Sequence, residues 1–184
     1  MQTFIPATTS FADMAKVLDN KRLNKQALEG WQILMVLLEL DPAGNHRAAK
    51  GWRNHPAVHM WRGHEGLLVD YIHDMVVEWK SRGYKSTIAD KAAETYKFAL
   101  QLGIVEDSAA REYPIWMSKP DLYELVASSH RRALLNKEYE WYSQFGWPED
   151  KGQRPDSYSY VWPDANGGYA FGIDQTTTLR QPAI

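Results

Sequence analysis

The spacing of apolar side chains predicts one dominant helix near the start of the chain. Between residues 18 and 38, apolar positions recur at the three- and four-residue intervals of a helix, beginning with Ala27 and Trp31. After Trp31 nearly every position is apolar, so the second half of this helix is expected to lie deep in a core. Its first half carries a separate polar face made of Arg22, Lys25, Gln26 and Glu29.

This polar face has two interpretations. Lys25 and Glu29 are an ordinary pair four residues apart, and most charged helix faces are simply solvated. Glu29, however, stands about one turn before the all-apolar half. Partial burial at such a boundary raises the proton affinity of a carboxylate, which makes Glu29 a candidate acid or base.

Helical spacing also organises the rest of residues 1–147. After an extended arm over residues 1–10, helices are expected from about Ser10, from Pro56 to about Arg82 with Gly83 as its stop, from Ile88 to Gly103, and from Pro120. The predicted fold is therefore all-α, a compact helical domain.

Residues 148–184 form a C-terminal extension of different composition, in which Pro, Gly, Asp, Tyr and Gln dominate. The runs 157–162 and 169–173 flank the turn sequence PDANGG and predict a small hairpin. The last ten residues are expected to lack fixed structure.

Composition narrows the class of protein. A chain of 184 residues with 44% hydrophobic and 24% charged positions fits a soluble globular domain. No apolar run approaches the roughly 18 residues that cross a bilayer, and the first ten residues lack signal-peptide features, so a cytoplasmic location without membrane contact is expected. The absence of cysteine excludes thiolate catalysis and Cys-ligated metals. His55 and His59 are four apart but lack an evident third ligand, so neither a metal nor a cofactor is predicted.

The net charge of −2 hides an uneven distribution. Residues 16–62 contain eight Lys and Arg against four Asp and Glu, whereas residues 63–124 contain seven against eleven. Such a split is compatible with one basic face that meets phosphate and an acidic back.

Two short motifs add candidate phosphate contacts. In WRNHP, residues 52–56, the side chains of Arg53, Asn54 and His55 stand at a helix start, where free N–H groups favour an anion. The alternative is a tight turn with Trp52 buried and Asn54 as the cap, and the residues alone favour neither.

The second motif is basic and lies on the last predicted helix. His130, Arg131 and Lys137 precede several aromatic residues, a combination typical of a nucleic-acid surface. The alternative is the cationic end of a helix followed by core-packing aromatics.

Three stretches, taken in order, resemble the phage pyrimidine-dimer DNA glycosylases of the endonuclease V type. They are LDNKRLNKQALE at 18–29, EWKSRGYK at 78–85 and SHRRALLNKEYEWYSQFGW at 129–147. The LDxKRLxKQ helix and the WRNHPAVxMW turn are closer still to a bacterial and phage subgroup. The resemblance implies a compact all-α enzyme that draws a pyrimidine nucleotide out of double-stranded DNA, in a host cytoplasm if the gene is a phage gene.

The resemblance also assigns roles to residues. By position, the family's glutamate that steadies the developing sugar cation and shuttles protons falls on Glu29. Arg22, Lys25 and Gln26 would then hold phosphate or the target base. Further contacts to the DNA backbone would come from Lys21, Arg53, Asn54, His55, His130, Arg131 and Lys137.

One departure concerns the nucleophile. The family uses the α-amine that is exposed when the initiator Met is removed before a small residue, whereas residue 2 here is Gln. The bulk of Gln2 predicts that Met1 is retained, which argues against an imine at the terminus. Lys21 or Lys25 could replace the amine only in a dry or cationic site. Positions 28 and 32, which carry arginines in the family, hold Leu and Gln.

Four functions are therefore considered. The first is glycosylase-like base excision with Glu29 as the key acid or base. The second, on the same fold, is a transferase that attaches an amino acid, its co-substrate, to an activated 5-hydroxymethyluracil base during phage thymine hypermodification, with Glu29 deprotonating the amine. The third is a DNA-binding module without catalysis, and the fourth is a plain helical interaction domain.

Overall fold

The computed structural model describes residues 1–172, without the side chains of Ser108 and Ala109. The chain is mostly helical with a small two-stranded sheet near its C-terminus. The helices are α1 (Phe11–Val17), α2 (Asn20–Leu38), α3 (Pro56–His59), α4 (Glu65–Ser81), α5 (Ile88–Gln101), α6 (Asp107–Ala110), α7 (Ile115–Ser118), α8 (Pro120–Lys137) and α9 (Tyr139–Tyr142), with 3₁₀ turns at Gly51–Asn54 and Ser143–Phe145. No helix within residues 1–172 is long and apolar enough to cross a membrane.

The dominant helix α2 begins at a fixed break in the chain. Asp19 caps it, because its carboxylate accepts hydrogen bonds from the backbone N–H groups of Lys21 and Arg22 at 2.9 and 3.2 Å. The guanidinium of Arg82 donates to the carbonyl of Leu18 at 2.7 Å and to two carbonyls of the last turn of α1. These contacts pair the free N–H groups at the start of α2 and the free carbonyl groups at the end of α1. They therefore stabilise the break between two separate helices.

The helix predicted from Pro56 to Arg82 is divided in two. Pro56 does begin α3, but α3 ends at His59 and α4 starts at Glu65. Gly63 has a φ of +80°, a left-handed conformation that ends a helix, and its N–H donates to the carboxylate of Glu65. The apolar spacing continues across this break, which is why it predicts a single helix.

Helices α2 and α4 form the centre of the core. They approach closely at Gly30, where an added Cβ would lie 2.8 Å from Cγ1 of Ile72. Ile33, Leu34 and Leu38 of α2 are buried there, as expected. One side of the second half of α2 is open, however, because Gln32 is exposed and Met35 and Val36 are only half-buried. The expectation of complete burial is therefore correct for one face of α2 only.

The predicted hairpin is confirmed within the described residues. Strands β1 (Tyr160–Pro163) and β2 (Tyr169–Gly172) pair antiparallel, with Val161 opposite Phe171. Strand β1 is buried against α8, and the N–H of Val161 donates to Oγ of Ser129 at 3.1 Å. The expectation for the last ten residues, and residue 173 of the predicted hairpin, lie outside the described part of the chain.

Candidate functional site

The N-terminal segment is part of the core and not an exposed arm. Residues 2–6 belong to no helix or strand and are buried, with Thr3 and Ile5 at 0% exposure. The N–H of Phe4 donates to Oε1 of Gln26 at 2.6 Å, and the hydroxyl of Tyr71 donates to the same oxygen at 2.8 Å. Gln26, buried on α2, therefore binds the protein's own backbone where a buried segment would otherwise leave polar groups unpaired.

Glu29 contacts the first residues of this segment. The backbone N–H of Gln2 donates to Oε2 of Glu29 at 2.8 Å. Oε1 of Glu29 makes no hydrogen bond or ion pair with the described residues, and the side chain is half-buried. Burial raises the pKa of Tyr71 well above its usual range, and the negative charge of Glu29 raises it further. Glu29 therefore faces the buried N-terminal segment with one carboxylate oxygen unengaged.

His130 of α8 holds the same segment from the opposite side. Its Nδ1 accepts a hydrogen bond from the N–H of Ile5 at 2.8 Å, and its Nε2 lies 2.8 Å from the terminal amide of Gln2. Burial, and then the charge of Arg131, lower the pKa of His130 to about 3, so the ring is neutral. Because Nδ1 is an acceptor, the ring proton is on Nε2. The Gln2 atom 2.8 Å away is the amide nitrogen, also a donor, so the hydrogen bond requires the amide to be turned with its oxygen toward the ring.

A cleft of about 680 Å³ opens beside this segment, between α2 and the loop that follows it. Its lining residues are Met1, Gln32, Met35, Val36, Leu40, Arg47, Ala48, Ala49, Lys50 and Trp52. Glu29 is not among these lining residues. It precedes Gln32 by one turn of α2 and accepts from the N–H of Gln2, the neighbour of Met1, so its carboxylate lies next to the Met1 end of the cleft. The cleft combines an apolar floor with two cations and an indole ring that is 50% exposed.

The predicted catalytic residues on α2 do not converge on one cavity. Glu29 lies next to the cleft through its bond to Gln2, and Lys25 is exposed one turn before it. Arg22 lies farther back, where its guanidinium pairs with Asp19 at 3.4 Å and with Glu138 at 3.6 Å. With Gln26 in the core, the predicted roles of Arg22 and Gln26 in holding phosphate or base do not fit this arrangement.

The WRNHP motif differs in detail from both interpretations of its sequence. Trp52 is exposed, and the cap of α3 is His55, whose Nδ1 accepts from the N–H of Ala57 at 3.1 Å. His55 is buried, so a direct phosphate contact does not fit its position. Arg53 and Asn54 are exposed, and Arg53 pairs with Glu39 at 3.4 Å. Lys21, also predicted to bind phosphate, is exposed on α2.

The side chains of the basic motif of α8 are turned toward the protein interior. His130 is fully buried, and Arg131 is paired with Glu124 and with Glu149 while donating to the carbonyl of Pro6. Lys137 donates to the hydroxyl of Tyr158 at 2.8 Å. Salt bridges and hydrogen bonds within the protein occupy these groups, so a phosphate contact from His130 or Arg131 does not fit.

Arg47, Lys50 and Gln2 were not singled out by the sequence as site residues. The two cations belong to a loop, and their position in the chain does not indicate which helix face they adjoin. For Gln2 no signal exists, because a polar residue beside Met1 is expected to be exposed. No group of three or more His, Cys, Asp or Glu side chains that could hold a metal occurs within residues 1–172.

A partly apolar cleft that is lined by cations and has a carboxylate next to it is the kind of site expected in a protein that binds a nucleic-acid base. The family model described as pyrimidine dimer DNA glycosylase matches residues 1–92, half of the chain. The chain therefore belongs to this family. Neither the curated proteins nor the solved structures contain a significant match. The matched residues include Gln2, Glu29 and the cleft, whereas His130 lies beyond them.

Proposed function

We propose that this protein is a DNA glycosylase that cleaves the bond between a pyrimidine base and its deoxyribose, with Glu29 as the catalytic carboxylate. The observation that carries the proposal is the state of Glu29: one oxygen is held by the N–H of Gln2 at 2.8 Å, and the other is unengaged within the described residues. The family to which the chain belongs acts on pyrimidine dimers in DNA, as its description states.

The reaction can be written with the groups at this end of the cleft. The bond between C1′ and the base nitrogen breaks, and its electron pair leaves with the base. A water molecule adds to C1′ and loses its proton to Oε1 of Glu29, and that proton then neutralises the departing base. The negative carboxylate also stabilises the cationic sugar that develops in the transition state.

The cleft supplies a place for an unstacked base. Its floor of Met35, Val36 and Leu40 is apolar, and the exposed ring of Trp52 offers a stacking surface. Arg47 and Lys50 line the same cleft and would contact the flanking phosphates. The cleft volume of about 680 Å³ lies within the range of about 300 to 1,000 Å³ that is typical of small-molecule sites.

Water is favoured over an amine as the nucleophile. With Met1 retained, the nitrogen bonded to the Glu29 carboxylate is the backbone amide nitrogen of Gln2, and an amide is not a nucleophile. Lys21 and Lys25 are exposed, whereas a nucleophilic lysine needs a desolvated site or cationic neighbours. The products are therefore expected to be an abasic site and an uncut strand.

The first test measures excision directly. A duplex with one cyclobutane pyrimidine dimer is incubated with the protein and scored for alkali-labile sites, since the cleaved base stays attached to its dimer partner. Glu29→Gln is expected to lower the rate by at least about 100-fold, because it removes the proton acceptor and the negative charge. The control is Glu140→Gln, which neutralises an exposed glutamate on α9.

Other outcomes would identify a different activity. A covalent adduct after borohydride reduction would replace the water mechanism with an imine. A heavier nucleoside, formed from 5-hydroxymethyluracil DNA and an amino acid, would support the transferase alternative. DNA binding that survives Glu29→Gln, without any product from any substrate, would reduce the protein to a binding module.

A further inference from the structure

We propose that His130 is a positioning residue that acts on Glu29 through Gln2. The inference rests on the proposed function, and it adds a residue outside the part of the chain that matches the family. The connection is continuous: Nε2 of His130 lies 2.8 Å from the Gln2 amide, and the Gln2 N–H lies 2.8 Å from Oε2 of Glu29.

His130 holds the N-terminal segment at two points. Nδ1 accepts from the N–H of Ile5 and Nε2 bonds the side chain of Gln2, so one planar ring sets the distance between residues 2 and 5. The ring also lies edge-on to Phe4, with centroids 5.7 Å apart. A neutral imidazole suits this place, because both of its nitrogens are matched, one as acceptor and one as donor.

The imidazole itself is held by the second half of the chain. The neighbouring Ser129 accepts from the N–H of Val161 on β1, and the neighbouring Arg131 donates to the carbonyl of Pro6. His130 also contacts the ring of Tyr160, with centroids 5.6 Å apart. Strand β1 and α8 therefore form a rigid support for a ring whose outer contact is the residue bonded to Glu29.

The consequence for the reaction is geometric. If the side-chain amide of Gln2 loses its bond to His130, the hydrogen bond that residues 1 and 2 keep within residues 1–172 is the one from the Gln2 N–H, beside the apolar packing of Met1. The donor that orients the carboxylate of Glu29 would then be displaced, whereas the lining residues of the cleft other than Met1 lie within residues 32–52 and stay in place. Displacements of about 1 Å at a catalytic group lower rates by about 100-fold without a comparable change in binding.

The test uses two single variants and their combination. His130→Asn keeps an acceptor where Nδ1 lies but has no group at the position of Nε2, so it no longer bonds Gln2 but still bonds Ile5. Gln2→Met removes the same interaction from the other side. Because Gln2 lies at the edge of the core, this variant is expected to fold even if His130→Asn does not. The control is His73→Asn, on the exposed side of α4.

Kinetics should separate positioning from general damage. Both variants are expected to lower kcat for excision by about 10- to 100-fold with KM changed by less than about threefold. The double variant should be no slower than the slower single variant, because both changes remove the same hydrogen bond. If kcat/KM falls in the single variants because KM rises and not because kcat falls, the proposal is wrong. Additive losses in the double variant would also overturn it.

A spectroscopic readout does not depend on activity. The backbone N–H proton of Gln2 is donated to the carboxylate of Glu29, so its signal is expected downfield in the ¹⁵N-correlated NMR spectrum. This signal should move upfield in His130→Asn and in Glu29→Gln but not in His73→Asn. If it does not move in His130→Asn, the positioning role is wrong even if excision is observed. If it moves as expected but no excision occurs in the unaltered protein, the contact is correct and the proposed function fails.

Discussion

Two basic helical stretches of this chain are similar in sequence and opposite in surroundings. KRLNK at residues 21–25 lies on α2, and HRRALLNK at residues 130–137 lies on α8. On α2 the ammonium groups of Lys21 and Lys25 make no ion pair with residues 1–172 and are exposed. On α8, Arg131 is 7% exposed at its side chain and is paired with Glu149, which is 11% exposed.

A cationic pattern in the sequence therefore does not reveal whether its binding partner is outside or inside the protein. Lys21 and Lys25 of the first stretch lie on one exposed face of α2 that continues through Leu28 to Gln32 at the cleft, so these two lysines are available to DNA. Arg22 of the same stretch is paired with Asp19 and Glu138. In the second stretch Arg131 binds the protein's own carboxylates and the carbonyl of Pro6. Its energetic contribution is therefore to folding.

The largest effect should follow from removing the buried cation. Arg131→Met leaves Glu149 half-buried without its partner and the carbonyl of Pro6 without a donor, so the free energy of unfolding should fall by about 3 kcal/mol. Urea denaturation at pH 7 measures it, with Lys25→Met as the matched control on α2, expected to change stability by less than about 0.5 kcal/mol. Equal effects in the two variants would remove the contrast between the stretches.

A second effect should appear as a pH dependence of stability. Burial lowers the pKa of His130 to about 3, below the ordinary value of 6.5, so the folded state binds its proton less tightly than the unfolded state. Stability is then full above pH 6.5 and is lost by up to about 1.4 kcal/mol per pH unit as the pH falls toward 3.

The interval from pH 6.5 to 5 lies above the ordinary pKa of a carboxylate, which is about 4. Burial also lowers the pKa of His59, so a second group contributes in the same direction. His130→Asn should reduce the slope and His59→Asn should reduce it less, as measured by urea denaturation at several pH values. An unchanged slope in His130→Asn would contradict the burial of a neutral ring.

The smallest effect should come from the open stretch, and it should concern binding only. Lys21→Ala with Lys25→Ala is expected to leave stability unchanged and to weaken DNA binding uniformly across sequences. The slope of log affinity against log salt should fall by about 0.9 for each phosphate that the variant no longer neutralises. Lys97→Ala with Lys85→Ala, on and before α5, serves as a control for exposed lysines elsewhere. If the α2 variant and the control pair have the same slope of log affinity against log salt, Lys21 and Lys25 do not contact DNA.

Much of the fold could be predicted because its signals are local. Pro56 and Pro120 begin α3 and α8, Gly83 and Gly103 follow α4 and α5 with positive φ values, and the PDANGG turn joins β1 to β2. Each of these depends on backbone conformations that a few neighbouring residues determine. The division at Gly63 could not be predicted in this way, because apolar spacing continues on both sides of it.

The site could be predicted only in part. Glu29 is marked by its place at the boundary between a polar and an apolar helix face, which is a property of one helix. The sequence assigns Arg131 and Gln26 to a ligand because their partners, Glu149 and Phe4, are 18 and 22 residues away in the chain. No periodicity connects residues at such separations.

The sequence alone determined the helix boundaries that carry a local Pro or Gly signal, the apolar faces and the carboxylate at the edge of the core, because these follow from neighbours within a turn or two. Which polar side chains face inward depends on the tertiary structure, because their partners are distant in the sequence. The tertiary structure brought Gln2, Glu29 and His130 together across 128 residues, since a buried N-terminal segment must satisfy its backbone groups with whatever helices pack around it.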